Sequence, residues 1–517
     1  MSAEAPTTLP SPSPFRGRFL LDPNERAKYA EASGILSVVP SAVAVPNDRV
    51  DVQNLVRWAD RTGTPLVPRS AATGMPGGNV GGGVAVDLLT SFSHIEPPDP
   101  TTRTLEVEVG ATLAAVNARC EPHGLHFPVD PSSGARCTFG GMLANNSAGP
   151  HSVRYGATRR WVRELEVVLA DGSLVHAARG TRPSDPRLAE IAIRVDALLR
   201  PEAERIEAEW PRVRKNASGY ALREYLRSGD LVDLLIGSEG TLCLILSAVL
   251  ELAPIPTRRA LVILEFTDLE LAGAAVESIL AEEPATCEML DRTFLELVRN
   301  AGRDDAYPLR EGLEAILLVE LEGNDDEEIR ERGRRLGELA DRLGARHTIA
   351  LSESEQAGAH ALRRAASPII AEQAGGRVSM QFIEDCVVPV DRLAIYVHGL
   401  RAILARHHLP AVIFGHAGDG NLHVNPLVDV RADNWREEIE VVLYEVADLV
   451  ATLGGTLSGE HGDGRLRAPL LETIWGRRMV ERFRGIKDIF DPKGIFNPGV
   501  ILPLPGQRPF DALRPFT

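Results

Sequence analysis

Apolar and polar positions change period repeatedly along the chain, and each change marks an element. Over residues 50–62 (VDVQNLVRWADRT) apolar side chains recur at three- and four-residue spacing, which predicts an amphipathic helix. Short runs rich in β-branched and apolar residues predict strands near 65–68, 84–87, 104–109, 165–168 and 242–252, with dense glycine between them. A polar helical stretch at 184–210 should cover the surface. Residues 38–252 therefore read as an α+β domain rather than a regular βαβ series, preceded by a leader of loops and a short helix over 1–35.

The pattern shifts at Pro254-Ile255-Pro256, which suggests a boundary. Beyond it come two strand–helix pairs, 260–267 with 271–282 and 315–322 with 326–343. Strands alternating with amphipathic helices predict an antiparallel sheet with helices on one face. The tail at 487–500 reads as a short helix and a proline-bounded loop, and no internal repeat is found. The expected organisation is a leader (1–35), a glycine-rich domain (36–254), a second α+β domain (255–470) and a C-terminal tail (471–517).

With 517 residues there is ample length for two or three cores. A net charge of −16 argues against a nucleic-acid binder, whose affinity rests on Lys and Arg neutralising phosphates. An anionic substrate would need locally supplied positive charge. The cysteines (120, 137, 243, 287, 386) form no C-x-x-C pair, so neither an iron–sulfur cluster nor a disulfide framework is encoded. With no signal-type apolar core near the N-terminus and no membrane-length apolar run, the expectation is a cytoplasmic protein that could attach peripherally to a membrane.

Two motifs carry the strongest chemistry, GHAGDGNLHVNP (415–426) and GGTLSGEHGDG (454–464). The first reads as a hairpin that places His423 and Asn425 on one face and folds His416 back beside them. The second sets Glu460-His461 between glycines, where backbone can approach a ligand closely. Two imidazoles with one carboxylate and an open position is a common set for Zn²⁺ or a similar divalent ion. A tight turn with satisfied histidines and a solvated loop are the bland alternatives for each motif taken alone; a zinc hydrolase is the competing enzyme class.

Three glycine-rich segments stand in the N-terminal half. Pro68 to Asn79 (PRSAATGMPGGN) follows a strand and offers successive amides able to hold a diphosphate, without the lysine of a P-loop or the helix of a Rossmann fingerprint. TFGGMLANNSAG (138–149) and GSEGT (237–241) offer more such backbone. Three converging loops would suit an extended dinucleotide.

In order, PRSAATGMPGG, PVDPSSGARCTFGGMLANNSAG, KNASGYAL (215–222) and GSEGTL resemble the PCMH-type FAD domain of the vanillyl-alcohol-oxidase superfamily. GHAGDGNLHVNP, SGEHGDG and IFNPGVI resemble its D-lactate and D-2-hydroxyglutarate dehydrogenase branch, in which glycolate oxidase flavoproteins also fall. The resemblance implies an α+β fold with a two-subdomain PCMH-type FAD-binding domain, a substrate-binding cap with an antiparallel sheet, and a C-terminal helical tail returning to the flavin. It implies FAD contacts from Pro68, Ser70, Ala71, Thr73, Gly74, Gly77, Gly78, Asn79, Pro131, Thr138, Gly140, Gly141, Asn145, Ser147, Gly149, Glu239, Gly240, Thr241 and Asn497. With no histidine between Arg69 and Asn79, the FAD should be non-covalent.

By the same resemblance His416, His423 and Glu460 would ligate a divalent metal such as zinc, His461 would be the catalytic base, and Asn425 a substrate contact. Arg363 would bind the substrate carboxylate with Ser367 nearby, Arg364 being an equally placed neighbour. The implied reaction is oxidation of a D-2-hydroxy acid such as D-lactate, with D-2-hydroxyglutarate dehydrogenase or a component of a glycolate oxidase as the alternative. Where the D-2-hydroxyglutarate branch has a lysine, this chain reads QFIEDCVVP (381–389), a Phe-x-Glu-Asp form resembling larger relatives fused to an iron–sulfur module. That removes the expected cation for a second carboxylate. The partners implied are a small anionic 2-hydroxy acid, a separate iron–sulfur or other electron-acceptor subunit, and further copies of the chain in a homo-oligomer.

Overall fold

The computed structural model describes residues 9–305, 307–373 and 376–516, with the side chains of 366–368 and 370–373 outside the described set. Ser367 therefore lies outside the described residues as a side chain.

The first amphipathic helix is Arg49–Thr62. The Asp48 carboxylate accepts from the Asp51 amide at its start, and Gly63, at φ 68°, ends it. It buries Val52, Leu55, Val56 and Ala59 against a four-stranded sheet. In that sheet Val84–Asp87 lies parallel between Ala42–Val45 and Leu66–Arg69. Arg18–Leu20 adds an antiparallel edge, so the leader contributes a strand besides its helix Pro23–Ala27. A second sheet, ordered Thr104–Glu108, Leu244–Glu251, Val162–Val168 and Leu174–Ala178, is antiparallel throughout.

The tail packs back onto this half. Its helix runs Leu471–Phe490, longer than the short helix expected, with a break at Gly476. Trp475, Met479 and Phe483 join the same core as Leu105 and Val107. Leu66 exchanges backbone hydrogen bonds with Ile495 and Asn497 at 2.8 and 2.9 Å, stitching the chain end to the strand that feeds the first glycine loop.

The second domain is built on an eight-stranded sheet, antiparallel as anticipated. Its helices occupy both faces rather than one. Strand Arg258–Phe266 explains this: Ala260, Val262 and Leu264 pack on one side with Leu269–Leu280, Asp326–Arg342, Leu393–Arg406 and Trp435–Thr452. Leu261 and Ile263 pack on the other with Arg292–Asn300 and Glu353–Gln373. A run apolar at every position must be covered twice. The strand Thr286–Asp291 (TCEMLD) shows no alternation, yet it lies between Ala315–Gly323 and Ala411–His416 at the centre of the sheet. Among the described residues no helix is long and apolar enough to cross a membrane.

Candidate active site

The hairpin forms as its sequence suggests. Ala411–His416 and Asn421–Val428 pair with Phe414 opposite His423 and His416 opposite Asn421. Gly420 makes the turn at φ 70°, where a Cβ would lie 2.0 Å from the Val388 carbonyl oxygen, so only glycine fits. His416 Nε2 and His423 Nε2 come to 3.2 Å, and Glu460 Oε1 stands 3.3 Å from each. A tetrahedral ion bound at about 2.0–2.1 Å has ligand–ligand edges of about 3.3 Å, so this donor set fits a divalent cation of the zinc type. His416 Nδ1 is bonded to the buried Glu288, which leaves Nε2 turned to the cluster. Burial opposes charge on both partners. Even so, Glu288 pushes His416 up to about 9, while His416 and Arg363 hold Glu288 well below the usual carboxylate range.

His461 is held differently from the three clustered side chains. Its Nδ1 bonds Glu384 Oε2 at 2.7 Å, and Glu384 is in turn bonded by Arg467, so that carboxylate is already committed. The next residue, Asp385, accepts from the Glu460 and His461 amides at 3.2 and 2.9 Å and from Ser458 Oγ at 2.8 Å, shaping the loop that presents both. Burial disfavours the imidazolium, but Glu384 and then Asp385 outweigh it and push His461 up to about 10. Nε2 has no hydrogen-bond partner among the described residues and lies 3.8 Å from Glu460 Oε1.

His416, His423, Glu460, His461 and Glu384 line one cavity of about 500 Å³, within the range usual for cofactor pockets. The glycine-rich segments form its other wall. Of the residues expected at FAD, all but Gly77, Thr241 and Asn497 lie on that wall. Gly77 faces Leu36, since a Cβ there would meet Leu36 Cδ1 at 2.6 Å. Thr241 is turned to the Tyr220 hydroxyl at 2.7 Å. The Asn497 amide bridges the Gly78 and Glu239 carbonyls at 2.7 and 2.8 Å, so it braces two loops from behind. The second glycine run is partly a helix, Phe139–Asn145, and a Cβ on its Gly141 would project into open space. This wall has room and backbone for a dinucleotide.

The two walls are bonded to each other. Asn145 Nδ2 donates to the His461 carbonyl at 3.0 Å, and Glu239 Oε1 accepts from the Asp463 amide at 2.7 Å. Burial, reinforced by Asp463, pushes Glu239 up to about 8. Asn425 and Arg363 also line the cavity, the Arg363 guanidinium lying 4.8 Å from the Phe414 ring centre and paired with Glu288 at 2.9 Å. Arg364 is exposed and is not on the wall. Glu288, Lys215 and Arg467 were not anticipated; Lys215 stood in the KNASGYAL motif, whereas Glu288 left no signal in sequence. All cysteines are buried and unpaired.

A family model for the FAD binding domain matches residues 40–178, and one for the C-terminal domain of FAD linked oxidases matches residues 255–501. The chain is 29% identical over 465 residues to glycolate oxidase subunit GlcD of Bacillus subtilis (strain 168), covering 89% of this chain and 88% of that one. It is 28% identical over 461 residues to D-lactate dehydrogenase of Archaeoglobus fulgidus, covering 89% and 91%. With D-2-hydroxyglutarate dehydrogenase of Pseudomonas putida it shares 30% identity over 518 residues, 95% of this chain but 51% of that protein, so it spans about half that relative's length. Among solved structures, 4-ethylphenol oxidase from Gulosibacter chungangensis superposes with a TM-score of 0.68 at 16% identity, covering 94% of each chain, a likeness of fold. These matches decide between the oxidoreductase and the hydrolase left open by the metal-type motifs: the chain belongs to the PCMH-type FAD flavoproteins that carry a FAD-linked oxidase C-terminal domain, a family of FAD-dependent oxidoreductases.

Proposed function

We propose that the protein oxidises a small D-2-hydroxy acid of the lactate kind to the 2-oxo acid. The observation that carries this reading is the cavity itself, in which an oriented histidine and a two-imidazole, one-carboxylate cluster face the FAD wall. When bound along the glycine-rich wall, FAD would supply a hydride acceptor, and a divalent ion held by His416, His423 and Glu460 would supply positive charge favouring loss of the substrate's hydroxyl proton.

His461 Nε2 takes the hydroxyl proton, while Glu384 on Nδ1 fixes the ring's orientation and stabilises the imidazolium that forms. Against its burial, Glu384 and then Asp385, with Glu460 adding to them, push this ring up to about 10. Positive charge among the neighbouring ligands opposes that protonation, making the neutral base available nearer neutral pH. Arg363 positions the substrate carboxylate and Asn425 contacts the substrate. Arg363 is the one arginine or lysine on the cap side of the cavity among the described residues, and Glu288 already pairs with it. An anionic substrate held there calls for the further positive charge an ion would bring. With no second cap-side arginine or lysine lining the cavity among the described residues, a monocarboxylate fits better than a dicarboxylate, although D-2-hydroxyglutarate dehydrogenases are among the relatives.

Anaerobic titration of the purified flavoprotein with D- and L-lactate, glycolate and D-2-hydroxyglutarate tests the assignment. D-lactate-type acids should bleach the flavin and their L-enantiomers should not. A flavin that dithionite reduces but no D-2-hydroxy acid bleaches would overturn it.

A further inference from the structure

Glu460 offers two carboxylate oxygens, and the structure gives them different neighbours. Oε1 faces His416, His423 and His461. Oε2 lies 2.8 Å from Lys215 Nζ, and neither atom has a hydrogen-bond partner elsewhere among the described residues. Both side chains are more than nine-tenths buried, at 3% and 8% exposure. The lysine comes from the opposite half of the molecule. It is delivered by residues 216–219, which are zipped onto the loop that carries Glu460: Asn216 Oδ1 accepts from Thr456 Oγ1 at 3.0 Å, the Ala217 amide donates to the Ser458 carbonyl at 2.9 Å, and the Gly219 amide donates to Asp463 Oδ2 at 2.8 Å.

We propose that Lys215 is a positioning residue for the ion site: it occupies one oxygen of Glu460 so that only Oε1 reaches the ion, and its charge cancels that of the carboxylate. This rests on the metal reading given above. Two consequences follow from elementary electrostatics. A carboxylate restricted to one oxygen leaves coordination positions open for the substrate's hydroxyl and carboxylate. A carboxylate neutralised by ammonium also offsets less of the ion's charge, and more remains to attract an anionic substrate. Ion affinity is thereby traded for substrate affinity. The nearby cap arginines among the described residues are engaged elsewhere, Arg363 with Glu288 on the far side of His416 and Arg467 with Glu384.

The Lys215–Glu460 pair is also a partition. Glu460 lines the flavin cavity and Lys215 lines a separate one of about 520 Å³ together with Arg214 and Asp419. That rear cavity is many times the roughly 30 Å³ share of one water, so it has room for a small amine where the Lys215 side chain is removed.

The test uses the flavin-loaded protein in wild-type, Lys215→Met, Lys215→Arg and Lys215→Ala forms. The Zn²⁺ dissociation constant is measured by competition with a chromogenic chelator, alongside KM and kcat for the acid that bleaches the wild-type flavin. In Lys215→Met the Zn²⁺ constant should fall while KM rises about tenfold or more, the size usual for losing a close charge pair. Lys215→Arg should stay near wild type in both, and methylamine added to Lys215→Ala should lower KM again. A lysine that merely supports the fold would weaken zinc and substrate together, and methylamine would do nothing; either result overturns the proposal. A wild-type protein that binds no stoichiometric metal overturns the metal reading itself, whereas tight wild-type binding left unchanged in Lys215→Met overturns only the role of Lys215.

Discussion

Asn145 Nδ2 donates a hydrogen bond to the main-chain carbonyl of His461 at 3.0 Å, so a side chain on the flavin wall holds the residue proposed as base. The two belong to opposite walls of the cavity, and the bond sets their separation. Asn145→Ala should lower kcat about two- to tenfold, the worth of one hydrogen bond, with a loss of bound FAD because the same side chain lines the flavin cavity. Turnover per bound flavin, with flavin taken from its absorbance, checks this. An unchanged turnover per flavin would mean the link does not position the base.

His461 and Glu384 should separate by magnitude. Loss of the base in His461→Ala is expected to cost ~10²–10⁴ in kcat, the usual range for a positioned general base. Glu384→Gln keeps the shape but loses the charge that orients Nδ1 and should cost about 10–100-fold, as supporting partners of site histidines do. Flavin absorbance should survive both changes. Wild-type turnover in His461→Ala with flavin intact would remove it from the role.

The ion site gives a prediction independent of rate. Elemental analysis of the wild type should find one divalent metal per chain, lost in His423→Ala, because each of the three ligand atoms stands 3.2–3.3 Å from the other two and removing one opens the set. Dialysis against a chelator should abolish substrate bleaching and leave the flavin spectrum in place, with Zn²⁺ restoring activity. His423→Ala with full metal content would show that the ligands are others.

Much of this site was legible because its residues are local in sequence. His416 and His423 stand only 7 positions apart and meet across a glycine turn, and Glu460-His461 are adjacent. What the sequence concealed is what other elements supply. Glu288 sits on TCEMLD, a strand whose burial on both faces erased the alternation that would have marked it. Glu384 and Asp385 stood in view as a departure from a lysine-bearing pattern, but their work, one holding the His461 ring and the other the loop amides, depends on a fold-back that spacing does not encode. The glycine segments were recognised as backbone binding sites, yet one is largely helix, and Asn497 braces loops rather than facing the cavity. The one-faced helix layer failed for the same reason as the missed strand. Period two cannot be read where both faces of a strand are buried.

The seam between the halves carries a pH-dependent contact. His151 Nδ1 bonds Asp130 at 2.6 Å within the FAD-binding half, while Nε2 lies 3.7 Å from carboxylates of Glu320 and Glu322 on the cap sheet, beyond hydrogen-bonding reach but close enough to act through charge. Arg259 at 3.1 Å and the Tyr155 hydroxyl at 2.7 Å share Glu322. Burial opposes charging of His151, but Asp130 and Glu320 outweigh it and push it up to about 11. An unfolded histidine titrates near about 6.5. The folded chain thus holds this proton more tightly, so the stabilisation is complete below about 6.5 and is lost as pH rises from there towards 11. Thermal unfolding of the FAD-loaded protein between about pH 7 and 10 should show a falling Tm in the wild type and a shallower fall in His151→Gln, whose neutral side chain has no proton to lose. Parallel slopes would mean that the seam is held by the Tyr155 and Arg154 bonds to Glu322 without help from His151.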